Sequence, residues 1–178
     1  MRGCGMFGRP PAETATAQDA RFAEYATAQL PALRRLAHRL CGDPHRADDI
    51  VQIALTRLYT RWELACDADN IDAYTRAIVV RSFLNEQRRR WARTWLVGRP
   101  TDLPLPSSEA ADVETRDVVR RALDRVPPRQ RAVLVLRFLH DLPVAEVAAA
   151  LGCSEATVKS QTRHGLTRLR RLLGDGTE

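Results

Sequence analysis

Lysine, long apolar runs and clustered cysteines are nearly absent from this sequence. Lys159 is the single lysine among 28 basic residues, so arginine carries almost all of the positive charge. No apolar run approaches the roughly 20 residues that a membrane-spanning helix needs, and residues 1–18 lack the apolar segment of a secretory signal. We therefore expect a cytoplasmic protein without a membrane partner.

The sequence also lacks the motifs that usually hold metals, cofactors or catalytic groups. Its four cysteines, Cys4, Cys41, Cys66 and Cys153, are widely separated, with no CxxC pair and no histidine at metal-ligand spacing. No glycine-rich phosphate loop, zinc signature or nucleophile elbow is present. These absences predict no metal, no cofactor and no enzymatic activity. We interpret the cysteines mainly as scattered thiols of a cytosolic protein, and a redox sensor is the alternative.

Helical periodicity is present in two long segments of the chain. Apolar residues recur every three or four positions from Asp19 onward, stop in a stretch rich in proline and serine, and then resume. No stretch alternates with period two for long enough to predict a strand. The predicted fold is all-α, with two small helical domains joined by a flexible linker and a helix-turn-helix in the second domain. The predicted boundaries are a flexible leader over 1–18, a first domain over 19–96, the linker over 97–112 and a second domain over 113–178.

Turn residues mark a helix boundary in the first domain. Gly42 suits the left-handed end of one helix, and Asp43 and Pro44 suit the N-cap and first turn of the next helix. The apolar residues of that next helix share one stripe, which is typical of a helix with one buried face. The residues that fall outside the stripe, and are therefore available to a partner, include Asp48, Asp49 and Gln52.

The residues after Pro143 have the spacing of a helix-turn-helix. Ala148 is small where two helices cross closely, Gly152 permits the turn, Ser154 caps the following helix, and Val158 points back into the angle between the helices. An ordinary structural pair of helices is the alternative. The net charge of +6 and the sequence pI of about 9.8 suit a polyanionic partner such as DNA. The face expected to contact base edges and phosphates carries Glu155, Thr157, Lys159, Ser160, Arg163 and His164.

Several runs resemble the extracytoplasmic-function sigma factors of bacterial RNA polymerase. Residues 123–137, 144–148 and 152–160 resemble region four, which recognises the minus-thirty-five promoter element in that family. Residues 42–52 and 73–84 resemble region two. Their amino-acid sequence is most similar to the actinobacterial subgroup commonly called SigE-like. The two regions occur in the expected order and cover most of the chain.

Two residues depart from the pattern of this subgroup. Arg81 stands where the subgroup often has Asn, which puts in doubt any base preference carried over for that position. Pro143 replaces the usual Ser or Thr before the first helix of the helix-turn-helix, so the cap there has no side-chain oxygen. Neither departure conflicts with the predicted fold.

The resemblance implies a sigma factor with core RNA polymerase and promoter DNA as partners. It implies docking on the β′ clamp helices through Asp48, Asp49 and Gln52, and contact with the β flap. It also implies melting and capture of the minus-ten element, and a base removed from its stack needs a polar pocket or an aromatic platform. The residues assigned to the minus-ten element are Asp69, Asn70, Tyr74, Arg76, Arg81, Asn85, Arg88 and Arg89.

Two questions of partnership stay open in the sequence. An anti-sigma protein is a further partner that the sequence neither requires nor excludes. The alternative function is a free-standing helix-turn-helix regulator, which would bind palindromic half-sites as a dimer without polymerase.

Overall fold

A computed structural model describes residues 12–97 and 114–174, which are helical apart from short turns. Neither described range contains a strand, and this confirms the all-α prediction. From residue 98 onward, the predicted linker lies outside the described residues. The first range holds α1 (Ala12–Cys41), α2 (Pro44–Tyr59), α3 (Trp62–Cys66) and α4 (Ile71–Val97). The second range holds α5 (Glu114–Asp124), α6 (Pro128–Leu134), a π-helical turn (Val135–Leu139), α7 (Val144–Leu151) and α8 (Glu155–Gly174).

The corner between α1 and α2 has the predicted turn chemistry. Gly42 has a φ of 72°, a left-handed conformation that glycine adopts without steric cost. The Asp43 carboxylate accepts a hydrogen bond from the backbone N–H of Arg46 at 2.9 Å, and Pro44 occupies the first helical turn. The next helix therefore begins with its free N–H groups partly satisfied.

Two helix ends differ from the predicted domain boundaries. α1 begins at Ala12, inside the predicted leader over 1–18, because these residues form a helix without an apolar stripe that periodicity could detect. α4 ends at Val97, one residue beyond the predicted end of the first domain.

Each domain has a small apolar core of its own. In the first domain, Leu58, Trp62 and Ala65 are buried beneath the rings of Phe22 and Tyr25. In the second domain, buried residues of α5 and α6 pack against α8. The α8 residues in that contact are Leu166, Leu169 and Leu172.

The largest apolar core is shared by the two domains. Leu36 and Phe83 of the first domain belong to the same buried cluster as Leu136 and Val147 of the second domain. α4 packs against α6 and α7, and α1 packs against α6. The sequence predicts two separate modules, and this joint core was not foreseen, because periodicity shows which face of a helix is apolar but not which neighbour covers it.

Candidate nucleic-acid interface

α7 and α8 form the helix-turn-helix that the sequence predicts. Gly152 ends α7 with φ 64° and ψ 46°, and the Cys153 N–H donates to the Ala148 carbonyl at 3.0 Å. The Ser154 hydroxyl accepts from the Thr157 N–H at 3.2 Å and so caps α8. Val158 is fully buried between the helices. These contacts fix the angle at which α8 leaves α7.

The outward face of α8 carries the side chains assigned to DNA. Glu155, Lys159 and Arg163 follow one another at intervals of four residues, so they share a face of the helix. They are exposed, as are Ser160 and His164. Thr157 differs from the rest of this set, because it is half-buried and its hydroxyl lies 2.9 Å from the Ser154 hydroxyl. Thr157 therefore stabilises the turn through its contact with Ser154, and only part of its side chain is exposed on the outer face of α8.

A basic groove of about 340 Å³ runs beside this face. Its lining includes Lys159 and Arg163 together with Arg137 and Arg170, two arginines that the sequence analysis did not assign to DNA. Arg137 is held in place by a 2.6 Å hydrogen bond to the Leu142 carbonyl. Arg170 could have been predicted from the sequence, because arginine recurs along α8. Arg137 could not, because it belongs to the π-helical turn and only the tertiary fold brings it to the groove.

The α2 face assigned to polymerase is exposed. Asp48, Asp49 and Gln52 lie one turn or less apart and all point outward. Asp48 pairs with Arg34 of α1 at 2.8 Å, and about half of each side chain remains accessible. Ile53 lies beside them with 39% of its surface exposed, so the face combines carboxylates with an apolar side chain that the sequence analysis did not select.

A cavity of about 670 Å³ opens beside the turn between α3 and α4. Asp69 and Asn70 line it, and so do Tyr25 and Trp62, whose ring centroids are 5.4 Å apart. The Tyr25 hydroxyl donates to Asp72 at 2.9 Å, and burial raises the pKa of Tyr25 to about 12. Tyr25 therefore stays neutral at physiological pH. The cavity therefore presents aromatic surface, a carboxylate and an amide.

The other side chains assigned to the minus-ten element lie along α4 and outside this cavity. Tyr74 packs on the core beneath α3. Asn85 is half-buried, and Arg88 and Arg89 are exposed. Arg76 and Arg81 instead contact the second domain, Arg76 through Glu146 at 3.8 Å and Arg81 through backbone carbonyls of α7. The structure thus divides the predicted minus-ten set between a cavity and a helix face.

The described residues contain neither a metal-binding group of histidine, cysteine and carboxylate side chains nor a helix long and apolar enough to cross a membrane. Cys41, Cys66 and Cys153 are free thiols, and Cys41 is buried. Burial raises the pKa of the Cys41 thiol, which disfavours its reactive thiolate form. This disfavours the redox-sensor alternative for Cys41.

Two protein-family models match the chain. Sigma-70 region 2 matches residues 26–93, and Sigma-70 region 4 matches residues 116–169. The RNA polymerase sigma-E factor of Streptomyces coelicolor is 39% identical over 156 residues, covering 85% of this chain and 85% of that protein. The ECF RNA polymerase sigma factor SigM of Mycobacterium tuberculosis is 34% identical over 151 residues, covering 82% of this chain and 72% of that protein.

A solved structure has the same fold. It is the sigma factor RpoE from Bartonella quintana, crystallised with the anti-sigma factor NepR, and it aligns with a TM-score of 0.71 at 24% identity. The alignment covers 86% of this chain and 97% of that chain.

These matches define the class of protein as a promoter-specific transcription initiation factor. The chain belongs to the extracytoplasmic-function sigma factors of RNA polymerase. A free-standing regulator would need only the helix-turn-helix, so the presence of both sigma regions in one chain favours the sigma factor over that alternative.

Proposed function

We propose that three surfaces of this chain divide the work of promoter recognition. The α2 face around Asp48, Asp49 and Gln52 binds core polymerase. The cavity beside Asn70 and the basic side of α4 bind the unpaired minus-ten strand. The outward face of α8 lies in the major groove of the minus-thirty-five duplex. The observation that carries this assignment is the exposed row of Glu155, Lys159 and Arg163 on a helix whose opposite side is anchored by the buried Val158.

The chemistry of α8 suits both phosphate and base contacts. An Arg or Lys that reaches guanine N7 and O6 contributes about 1–3 kcal/mol of discrimination against the wrong base. Cations in the basic groove are suited to phosphates, and each phosphate contact adds close to one unit to the slope of log affinity against log salt. Arg137 and Arg170 extend the groove along the duplex backbone.

The proposed role needs no catalytic group or cofactor in this chain, and it places the protein in the cytoplasm with the polymerase. The Bartonella relative binds an anti-sigma factor. A partner of that kind remains a prediction for this protein.

A paired substitution experiment tests the α8 assignment. We expect Lys159→Ala and Arg163→Ala each to weaken binding of the core-bound protein to minus-thirty-five duplex about tenfold or more, with a reduced salt slope for any residue that contacts phosphate. Arg171→Ala, an exposed arginine near the far end of α8, is the matched control and should bind like the native chain. Equal binding by Lys159→Ala, Arg163→Ala and the control would refute the assignment.

A further inference from the structure

One wall of the cavity beside the turn between α3 and α4 is formed by α1. The α1 residues that line it are Arg21, Glu24, Tyr25 and Ala28. Residues with this spacing share a single face of a helix, so α1 presents one continuous surface to the cavity. None of the four belongs to the residues that the sequence assigns to promoter DNA. The wall is therefore a part of the cavity whose function is still to be explained.

Tyr25 holds this wall against α4. Its hydroxyl donates to Asp72 at 2.9 Å and lies 3.0 Å from the hydroxyl of the buried Thr75. Its ring packs on Trp62 at the base of the same cavity. Both contacts exist before any ligand enters, so a ligand would not have to order this part of the wall.

Arg21 and Glu24 bring opposite charges to the cavity. Both side chains are exposed, and among the described residues neither forms an ion pair within 4.0 Å. Arg21 Nη2 lies 4.0 Å from Cys66 Sγ, so the guanidinium reaches from α1 to the end of α3. A thiol is a weak acceptor, whereas a phosphate binds a guanidinium strongly. Arg21 is therefore suited to a phosphate beside the cavity.

The polar groups of the cavity match one kind of base edge. Glu24 and Asp69 carry carboxylates, which only accept hydrogen bonds. The Asn70 side-chain oxygen already accepts the Ala73 N–H at 2.9 Å, so the Asn70 amide donors are the part left for a ligand. Adenine and cytosine place an exocyclic amine beside a ring nitrogen that accepts. Thymine places a carbonyl where cytosine has its amine, and a carboxylate repels that carbonyl.

We propose that α1 takes part in minus-ten recognition through Arg21 and Glu24. Arg21 binds the phosphate of the unpaired nucleotide in the cavity, and Glu24 accepts a hydrogen bond from the exocyclic amine of its base. The cavity thereby selects adenine or cytosine over thymine. Arg21 also offsets the repulsion between that phosphate and the carboxylates of the cavity. This proposal rests on the proposed role of the cavity in binding the minus-ten strand.

The phosphate contact is tested by salt dependence. Core polymerase carrying the chain would bind single-stranded oligonucleotides that contain the minus-ten element mapped from its transcript starts. We expect Arg21→Ala to weaken binding about tenfold whatever the base, and to lower the slope of log affinity against log salt by about 0.7. Arg35→Ala, an exposed arginine farther along α1, is the matched control and should bind like the native chain. An Arg21→Ala variant with the affinity and slope of the control would overturn the phosphate contact.

The base contact is tested by changing the amine of a single base. Each minus-ten position would carry in turn deoxycytidine or deoxyuridine, and adenine or purine, pairs that differ only at the amine. At one position, we expect the native chain to prefer the amine about tenfold and Glu24→Ala to lose this preference without a lower salt slope. Glu63→Ala, an exposed glutamate of α3, should keep the native preference. A native chain that prefers no amine, or a Glu24→Ala variant that keeps the native preference at every position, would overturn the proposal.

Asn70→Ala separates this proposal from the role of the cavity itself. Denaturant unfolding would first show which variants are folded at the temperature of the binding assay. Weaker binding by Asn70→Ala, together with native behaviour of both α1 variants, would overturn the α1 contacts and leave the cavity assigned to the minus-ten strand. Native binding by Asn70→Ala and by both α1 variants would instead refute the assignment of the cavity.

Discussion

Asn70 has two roles that substitution can separate. Its side-chain oxygen accepts the Ala73 N–H at 2.9 Å, which caps the start of α4, and the residue also lines the cavity assigned to the minus-ten base. The cap is a structural role that does not depend on DNA binding. The amide donors are the part of the side chain that only base recognition needs.

Asn70→Asp should therefore change base preference without changing stability. Aspartate keeps the capping oxygen but loses the amide donors, whereas Asn70→Ala loses both and should also destabilise the fold by about 1 kcal/mol. Binding to oligonucleotides that vary at each minus-ten position, together with denaturant unfolding, checks this. An Asn70→Asp variant with the native base preference would show that Asn70 acts only as a cap.

His140 reports on the boundary between the domains. Burial lowers the pKa of His140 below its ordinary value, and Arg39 and Arg35 of α1 and Arg76 of α4 lower it further. These cations all belong to the first domain. Separation of the domains would therefore return His140 toward the ordinary histidine pKa of about 6.5.

The packing of the two domains should weaken as the solution becomes acidic. This packing holds His140 neutral, so the stability that it contributes is fully present above the ordinary histidine pKa and is lost as pH falls through the lowered value. An NMR titration should find the pKa of His140 below the ordinary histidine value of about 6.5, and Arg39→Ala should raise it. A native His140 that titrates at or above about 6.5 would contradict the packing of α1 and α4 against this residue.

At the scale of elements, α8 crosses α6 at a glycine. A Cβ atom at Gly165 would lie 3.1 Å from Leu134 Cδ1 and 3.4 Å from Gln130 Cβ. The two helices approach this closely because Gly165 has no side chain. The same crossing orients α8 and so determines where Lys159 and Arg163 point.

Gly165→Leu should destabilise the second domain. Forcing a large side chain into this crossing costs about 1–3 kcal/mol, more than the roughly 1 kcal/mol gained from better helix propensity. Gly174→Leu is the control, because a Cβ there meets no atom within 4 Å. Thermal unfolding of both variants measures the difference, and equal melting temperatures would refute the close crossing.

The sequence predicts the helices and turns that local chemistry determines. Gly42 and Gly152 both adopt positive φ, Ser154 caps α8, and Val158 is buried, as predicted. The early start of α1 was missed, since helix propensity without an apolar stripe leaves no periodic signal. The π-helical turn over 135–139 was also missed, because its apolar spacing resembles that of an α-helix over so few residues.

At the scale of the whole molecule, the sequence predicts the two sigma regions but not their contact. Arg81 and the Ala150 carbonyl are 69 residues apart, and no pattern links them. Every residue has a backbone carbonyl, so the residue type at position 150 does not indicate that an arginine binds there. The division of the minus-ten set between the cavity and the domain boundary could therefore be seen only in three dimensions.

As a sigma factor, this chain must impose promoter choice on RNA polymerase. Core RNA polymerase, alone and with the native chain, would transcribe a library of genomic fragments, and the 5′ ends of the transcripts would be sequenced. We predict discrete starts at a fixed distance from two shared upstream elements, found only when the chain is present. A start-site distribution identical to that of core polymerase alone would contradict the account.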